Sequence, residues 1–571
     1  MAMIDRMLPF LKWPRITRAT LQADLIAGIT VALVLIPQSM AYAQLAGLPP
    51  YYGLYSAFLP GVAAALFGSS KQLATGPVAV VSLLTASSLL PLATAGSGEF
   101  VALAITLSFL VGLTQLALGF LRMGAVVNFL SHPVIIGFTN AAALIIGLSQ
   151  LSKILGVKMG RSESFLHDIW GVLLQIDHTH IPSLAFGAGA FVIMWVLKRY
   201  YSKVPNVLVA VGVCIVFSQV IGFEARLGGA VIGAIPEGLP RLAMPNLDFD
   251  VMRSLVPSAI IISLVGFMEA ISIAKAMAAK NKDRLDPNQE LIGQGLGNVL
   301  GCLTQSFPTS GSFSRSAVNM SAGAVSGLSS IITSVVTLLT LLFLTPFLYH
   351  LPQPVLAAVI MMAVVGLINF KAIFYAWRAN KPDGIAALLT FVATLLVAPH
   401  LDKGIMIGAV FAIIVHLYQA MRPRVAILGR FNDGTLRDIN VHPHLPTDDR
   451  IIAIRFDGQL FFANTSYFEE TILSAVASKP NANYILVVGD GINRLDASGE
   501  EVIHHIVERL KENGCTVVFS GLKKQVLDVM RRTRLFEMIG GDKNIFADEY
   551  KALTDIYQQM KDSRHRPLLH G

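Results

Sequence analysis

Residues 74–92 read ATGPVAVVSLLTASSLLPL, and residues 310–324 read SGSFSRSAVNMSAGA. A membrane-spanning helix needs about 20 apolar residues. The first stretch opens on Gly76-Pro77 and reaches Pro91 too soon; the second is polar and shorter still. Such backbone is tolerated at membrane depth only where it lines a cavity.

What surrounds the two stretches puts them at that depth. Of 571 residues, 54% are hydrophobic and 14% charged, against roughly 25% charged in soluble domains. Apolar candidate spans begin near Asp24, Tyr51, Thr75, Val101, Ala125, Ile181 and Pro205. A second set begins near Ser254, Asn288, Gly311, Ser326, Pro354, Asp383 and Lys403. That makes fourteen, seven on either side of a polar loop at 223–253. The two defective segments each stand third in their set. Short or interrupted segments at matching places in two halves point to a transporter's binding site.

Charge orients the spans. With Arg6, Lys12, Arg15 and Arg18 cytoplasmic, alternate loops carry Lys71, Arg122, Lys198–Lys203, Lys280–Arg284, Lys371–Lys381 and Arg422–Arg430, while Glu99 and Asp168 fall on the other side. The positive-inside rule then places both termini in the cytoplasm. The net charge of +8 is spread between apolar spans, so nucleic acid is not an expected partner. The first residues lack a signal-peptide pattern.

Beyond Arg430 the chain turns polar, and 423–448 reads as a linker. IIAIRFDGQLFFAN (451–464) suits two short strands around Asp457-Gly458. Helical and strand patterns then alternate to about residue 540, which predicts an α/β domain. The expected layout is therefore a cytoplasmic segment 1–22, a transport domain 23–422 with repeats 23–222 and 254–422, the linker, an α/β domain 449–562 and a tail 563–571.

A small anion in a low-dielectric site needs dipole ends, N–H donors and a compensating charge. Helices opening at the two short segments offer the amides of Val78, Ala79, Phe313 and Ser314, with Ser312 and Ser314 adding hydroxyls. Ser312 also suits a helix cap. Arg315 is a cation at membrane depth, which implies a partner or a wet cavity. Glu269, in an apolar run, is a candidate proton-coupling acid, because burial disfavours its charged form. Pairing with Arg315 or Lys275 is the structural alternative. Gln38 and Tyr42 share one helix face. Three cysteines and thirteen histidines form no metal-ligand spacing. No nucleophile–base pair marks an enzyme, and no cofactor is expected.

Pro37-Gln38-Ser39-Met40-Ala41-Tyr42-Ala43, GLPPYYGLYSAFLP, Thr75–Ala79, FMEAISIAKAMA and GSFSRSAVN together resemble the sulfate permease family of anion transporters, across essentially the whole chain. The tail resembles a STAS domain. The resemblance implies a helical polytopic protein with fourteen spans as a seven-plus-seven inverted repeat, two half-helices, and a homodimer in the inner (plasma) membrane. It implies that Gln38, Tyr42, Ser312 and Ser314 line the anion site, that Arg315 supports it electrostatically, and that Glu269 is the coupling acid. Sodium-coupled bicarbonate relatives carry a Thr where Ile273 stands, which argues for proton–sulfate symport over sodium and bicarbonate. Bicarbonate, chloride and C4-dicarboxylate remain alternatives, as does a membrane-tethered STAS signalling scaffold. In Leu495-Asp496-Ala497-Ser498-Gly499, the resemblance makes Ser498 a phosphosite; a helix cap is the simpler reading. A cytoplasmic regulator of the STAS domain would act there.

Overall fold

The computed structural model describes residues 8–124, 131–160, 164–201, 205–236, 238–561 and 565–569. It divides into two compact units, Met1–Ala412 and Ile413–Gly571.

The first unit is helical. In order it comprises α1 (Arg18–Leu45), α2 (Tyr51–Tyr55), α3 (Leu59–Phe67), α4 (Ala79–Leu89), α5 (Gly98–Phe120), α6 (His132–Ser149), α7 (Leu151–Leu155), α8 (Phe165–Leu173), α9 (Ile181–Tyr200) and α10 (Asn206–Ile221). The second half holds α11 (Phe249–Asn281), α12 (Pro287–Cys302), α13 (Phe313–Ser321), α14 (Leu328–Leu339), α15 (Gln353–Val365), α16 (Phe370–Ala379), α17 (Lys381–Val397) and α18 (Leu401–Met421). Eight helices among the described residues are long and apolar enough to cross a membrane. A helix lies at each candidate span, but the expected start of the fifth, Ala125, lies outside the described residues, as do Arg6 and Lys203.

Local chemistry sets the helix starts. Thr17 and Thr20 exchange backbone and hydroxyl bonds (3.2 and 2.8 Å) in a capping box that opens α1. Asp248 and Asp286 cap α11 and α12, and Pro287 sits in the first turn of α12.

The packing partners swap between halves. α1 packs on α14 as α11 packs on α5; α1 meets α13 as α11 meets α4. α5 packs on α12 as α14 packs on α3, and α6 on α17 as α15 on α9. An internal two-fold repeat produces this exchange. Small residues allow the close approach: a Cβ on Gly112 would stand 2.7 Å from the Gly295 carbonyl, and one on Gly295 2.9 Å from the Gly112 carbonyl.

Loops expected on one side are tied together. Lys71 pairs with Asp283 at 2.7 Å, and Asn288 accepts from the Gly124 amide at 2.8 Å. Buried Asp24 accepts from the Val325 and Ser326 amides and the Ser326 hydroxyl. At the other end, Thr106 accepts from the Asn246 amide at 2.9 Å, and Phe165 donates to Ala398 at 3.1 Å.

The second unit carries a six-stranded sheet, whose strands are β3 (Arg424–Arg430), β4 (Leu436–Asp438), β5 (Ile451–Asp457), β6 (Tyr484–Val488), β7 (Thr516–Ser520) and β8 (Ile545–Phe546). Their order across the sheet is β4-β3-β5-β6-β7-β8. β5 to β8 run parallel; β3 is antiparallel to both its neighbours. Alternate strand residues serve opposite faces, as a strand's period of two requires. Ile452, Ile454 and Phe456 pack with α19 (Thr465–Ser478), α20 (Ala497–Glu512), α21 (Lys524–Arg532) and α22 (Leu535–Ile539). Ile451, Ala453, Leu486 and Val488 pack with α23 (Glu549–Gln559) and with Leu568 and Leu569.

This corrects the sequence reading. The segment 423–448 is no linker, because β3 and β4 lie in it and pair with the sheet. Its polar residues mark the edge, where one strand face meets solvent. The stretch 451–464 holds one strand, β5; after it Leu460 forms only an isolated bridge with Leu495.

Candidate functional site

The two short segments meet. Each makes a two-residue strand, β1 (Thr75–Gly76) and β2 (Ser310–Gly311), and the strands pair antiparallel with Thr75 opposite Gly311 and Gly76 opposite Ser310. The Ser312 amide extends the ladder to the Ala74 carbonyl at 2.9 Å, and the Ala74 amide donates to the Ser316 hydroxyl at 2.8 Å. Because the strands are antiparallel, the helices that follow them run in opposite directions. The N-termini of α4 and α13 therefore back onto one crossing.

The eleven residues of α4 and nine of α13 rise only about 16 and 14 Å at 1.5 Å per residue. Both start abruptly, from extended Val78 and Ser312, and neither residue makes a side-chain cap. The capping role expected for Ser312 is thus not the one it plays. The amides of Ala79, Val80 and Val81, and of Phe313, Ser314 and Arg315, have no acceptor among the described residues. Unspent first-turn amides and about half a positive charge per helix end leave the crossing with free N–H donors and a positive potential.

Arg315 lies in the first turn of α13 and is 0% exposed. None of its three guanidinium nitrogens has a hydrogen-bond partner among the described residues. A Cβ on Gly76 would stand 3.4 Å from Nη2, so the bare backbone of β1 faces the guanidinium. Tyr42 and Glu269 lie within Coulombic reach of Arg315. The alternative for Glu269, an ion pair with Arg315 or Lys275, is not formed among the described residues. Glu269 is partly buried, its Oε2 has no partner, and Lys275 is exposed.

The remaining predicted residues divide. Gln38 and Tyr42 are buried on α1, and Gln38 Oε1 has no partner. Val78 and Ala79 are buried at the start of α4. The Ser312 and Ser314 hydroxyls stand 3.4 Å apart at the start of α13. Phe313, by contrast, is 63% exposed; its amide belongs to the crossing and its ring does not.

A support under the crossing escaped the sequence reading. Glu290, Gln294 and Asn298 recur every four residues on α12 and form one buried polar stripe. Glu290 Oε2 accepts from the Ser69 and Ser70 amides, both at 2.9 Å. Gln294 donates to the Thr75 hydroxyl at 2.7 Å, in β1. Asn298 accepts from the Thr309 amide at 2.8 Å, just before β2, and donates to Gln115 at 3.0 Å. On the far side, the Ser310 hydroxyl donates to Gly266 on α11 at 2.6 Å, one turn before Glu269. Polar residues four apart in a glycine-rich span were the available signal.

In the second unit, Asp496 caps α20, accepting from the Gly499 amide at 2.8 Å. Ser498 lies inside the first turn, so the capping role expected of it falls to Asp496. Cys214, Cys302 and Cys515 are free and buried.

A repeat-built apolar helical unit with two opposed half-helices, joined to a sheet-bearing domain, defines a multi-pass membrane transporter. Profiles agree: the sulfate permease family matches residues 21–390 and the STAS domain residues 442–552. The chain belongs to the sulfate permease family, whose members are transporters, not enzymes. Among relatives, "Sulfate transporter 4.1, chloroplastic" of Arabidopsis thaliana is 35% identical over 94% of this chain and 81% of its own length. "High affinity sulfate transporter 2" of Stylosanthes hamata is 31% identical over 94% and 84%. The overall structure of SLC26A9 superposes with TM-score 0.91 at 23% identity, covering 100% of this chain and 96% of that one. The transmembrane domain of a cyanobacterial bicarbonate transporter, BicA, gives 0.58 at 22% identity, over 70% and 99%. These two structures speak for the fold alone.

Proposed function

We propose that this chain carries sulfate inward with protons by alternating access. The observation that carries the reading is the crossing itself: two opposed sets of unspent amides beside a buried, unpaired guanidinium. A doubly charged tetrahedral oxyanion matches such donors better than a neutral solute does. The Arabidopsis and Stylosanthes relatives named above are sulfate transporters, and the family is shared.

Glu269 would carry the proton. It lies on α11, within reach of Arg315, with one oxygen lacking a partner. Its protonation changes the charge beside the anion by one unit, so anion and proton occupancy are coupled. Ile273, the position at which sodium-coupled relatives offer a hydroxyl, packs with Leu73, Ala274 and Met277 and offers no oxygen. The mobile boundary would lie where α1 and α4 meet α6, α10 and α15. In this reading the basic loops are cytoplasmic, the protein sits in the plasma membrane as a homodimer, and the STAS domain, through Ser498 or otherwise, answers to a cytoplasmic regulator.

The test is uptake of radiolabelled sulfate into proteoliposomes, with and without an inward proton gradient, for the native chain and Glu269→Gln. Gradient-stimulated uptake that Glu269→Gln abolishes supports symport. Uptake indifferent to gradient and mutation keeps sulfate and removes Glu269 from the mechanism. No sulfate uptake at all sinks the substrate and turns attention to bicarbonate, chloride and C4-dicarboxylates.

A further inference from the structure

A cavity of about 1020 Å³ lies at the end of the first unit where α1 and α4 finish. Gln44 and Leu45 of α1 and Leu83 of α4 form one wall; Ser149, Lys153 and Asp168 form part of the other. Leu45 follows Tyr42 by three residues and Leu83 follows Ala79 by four. The cavity floor therefore comes within about 6 Å, roughly one helical turn, of the anion crossing on both helices.

Lys153 stands on this wall beside Asp168 but forms no ion pair with it. Lys153 Nζ donates to Gln44 Oε1 at 3.2 Å, a neutral acceptor on the opposite wall. No ion pair among the described residues includes it. Asp168, the acid on the same cavity, already has polar partners of its own. An ammonium has three donors, and Gln44 takes one. A partly buried, unneutralised charge in a low-dielectric wall is costly unless a counter-charge visits it.

We propose that Lys153 is a capture station for a small inorganic oxyanion, one turn short of the crossing. An arriving anion would replace or share the Gln44 contact, gain the ammonium as counter-charge, and pass along α1 and α4 to the free amides. The lining holds both Lys153 and Asp168, and the ammonium, bonded to a neutral amide and to no acid among the described residues, supplies the local positive potential that draws an anion. This station rests on the transport reading above for its purpose, but not for its electrostatics.

Two measurements on the full chain separate those claims. Ser149→Cys places a thiol on the cavity wall, and the native cysteines are buried. Its labelling by an anionic sulfonatoethyl methanethiosulfonate is compared with that by the cationic trimethylammonium analogue. Lys153→Gln is expected to lower the anionic-to-cationic rate ratio by about threefold or more, and Lys153→Arg to restore it. Added sulfate should slow the anionic reagent only when the cation is present. An unchanged ratio in Lys153→Gln overturns the proposal; Ser87→Cys, on the α4 wall, repeats the test if Ser149→Cys does not fold. In proteoliposomes, Lys153→Gln should raise the KM for sulfate added on that side about threefold or more, with kcat within about twofold. An unchanged KM also overturns it. If the native chain moves no sulfate, the transport reading falls while the labelling ratio still decides whether Lys153 gathers anions.

Discussion

Gln294 on α12 donates to the hydroxyl of Thr75 at 2.7 Å, so a helix of the second repeat holds the strand that opens the half-helix of the first. The crossing of the two half-helices is thus assembled from both halves and supported from behind by a third element.

That support is measurable. Asn298→Ala leaves the buried Thr309 amide and Gln115 without their partner. An unsatisfied buried group costs about 1–3 kcal/mol. A lower thermal midpoint in detergent is expected, together with reduced sulfate affinity, because β2 loses its anchor. Gln294→Leu should shift affinity with a smaller loss of stability.

Arg315 should act through charge. Since its nitrogens bond to no other group among the described residues, replacing it strands no partner. Arg315→Gln is expected to fold and to weaken sulfate binding by tenfold or more, about 1.4 kcal/mol, read by calorimetry on the purified protein. Arg315→Lys should keep part of that affinity. Equal affinity in Arg315→Gln would remove the guanidinium from the site.

The position of a truncation should matter. Stopping after Met421 removes the sheet whole; stopping after residue 440 leaves β3 and β4 without β5. The strand β3 carries buried Ala426 and Leu428, which the longer fragment would expose. Size-exclusion chromatography should show the shorter fragment monodisperse and the longer one aggregating. Sulfate binding retained by the shorter fragment would dispose of the signalling-scaffold alternative.

Acid should loosen the second unit through Asp448. Burial alone would push its carboxyl up, but the side chain and backbone of Arg450 and the Tyr557 hydroxyl outweigh that and hold it below the ordinary value. A carboxyl lowered by folding stabilises above its unfolded pKa, about 3.9. The contribution disappears as pH falls below that value toward the folded one. Circular dichroism of residues 422–571 should show stability dropping below about pH 4. Asp448→Asn should be less stable at pH 7 and should show a shallower acid loss.

Much of this was legible in the chain. Composition and apolar runs define a membrane protein, because burying backbone in lipid admits few solutions. The shortness of residues 79–89 and 313–321 is visible as Gly, Pro and Ser where a span should continue. Their matched order in two halves singles out the candidate site. The strand β4 was not legible, because a three-residue edge strand carries the polar residues of a loop, and β3 was missed because it follows directly on the last apolar helix. The buried stripe of Glu290, Gln294 and Asn298 was readable as spacing but not as purpose, since its partners lie far off in sequence.

The sequence by itself determined that apolar helices in two sets bracket two half-helices, and which side chains stand at their ends. Only the tertiary structure decided that Thr75 lies opposite Gly311, that Arg315 faces Gly76 with its nitrogens unbonded, and that Lys153 reaches Gln44 across a cavity. Periodicity and propensity act over a few residues, whereas these relationships join positions more than a hundred apart, and only packing brings them together.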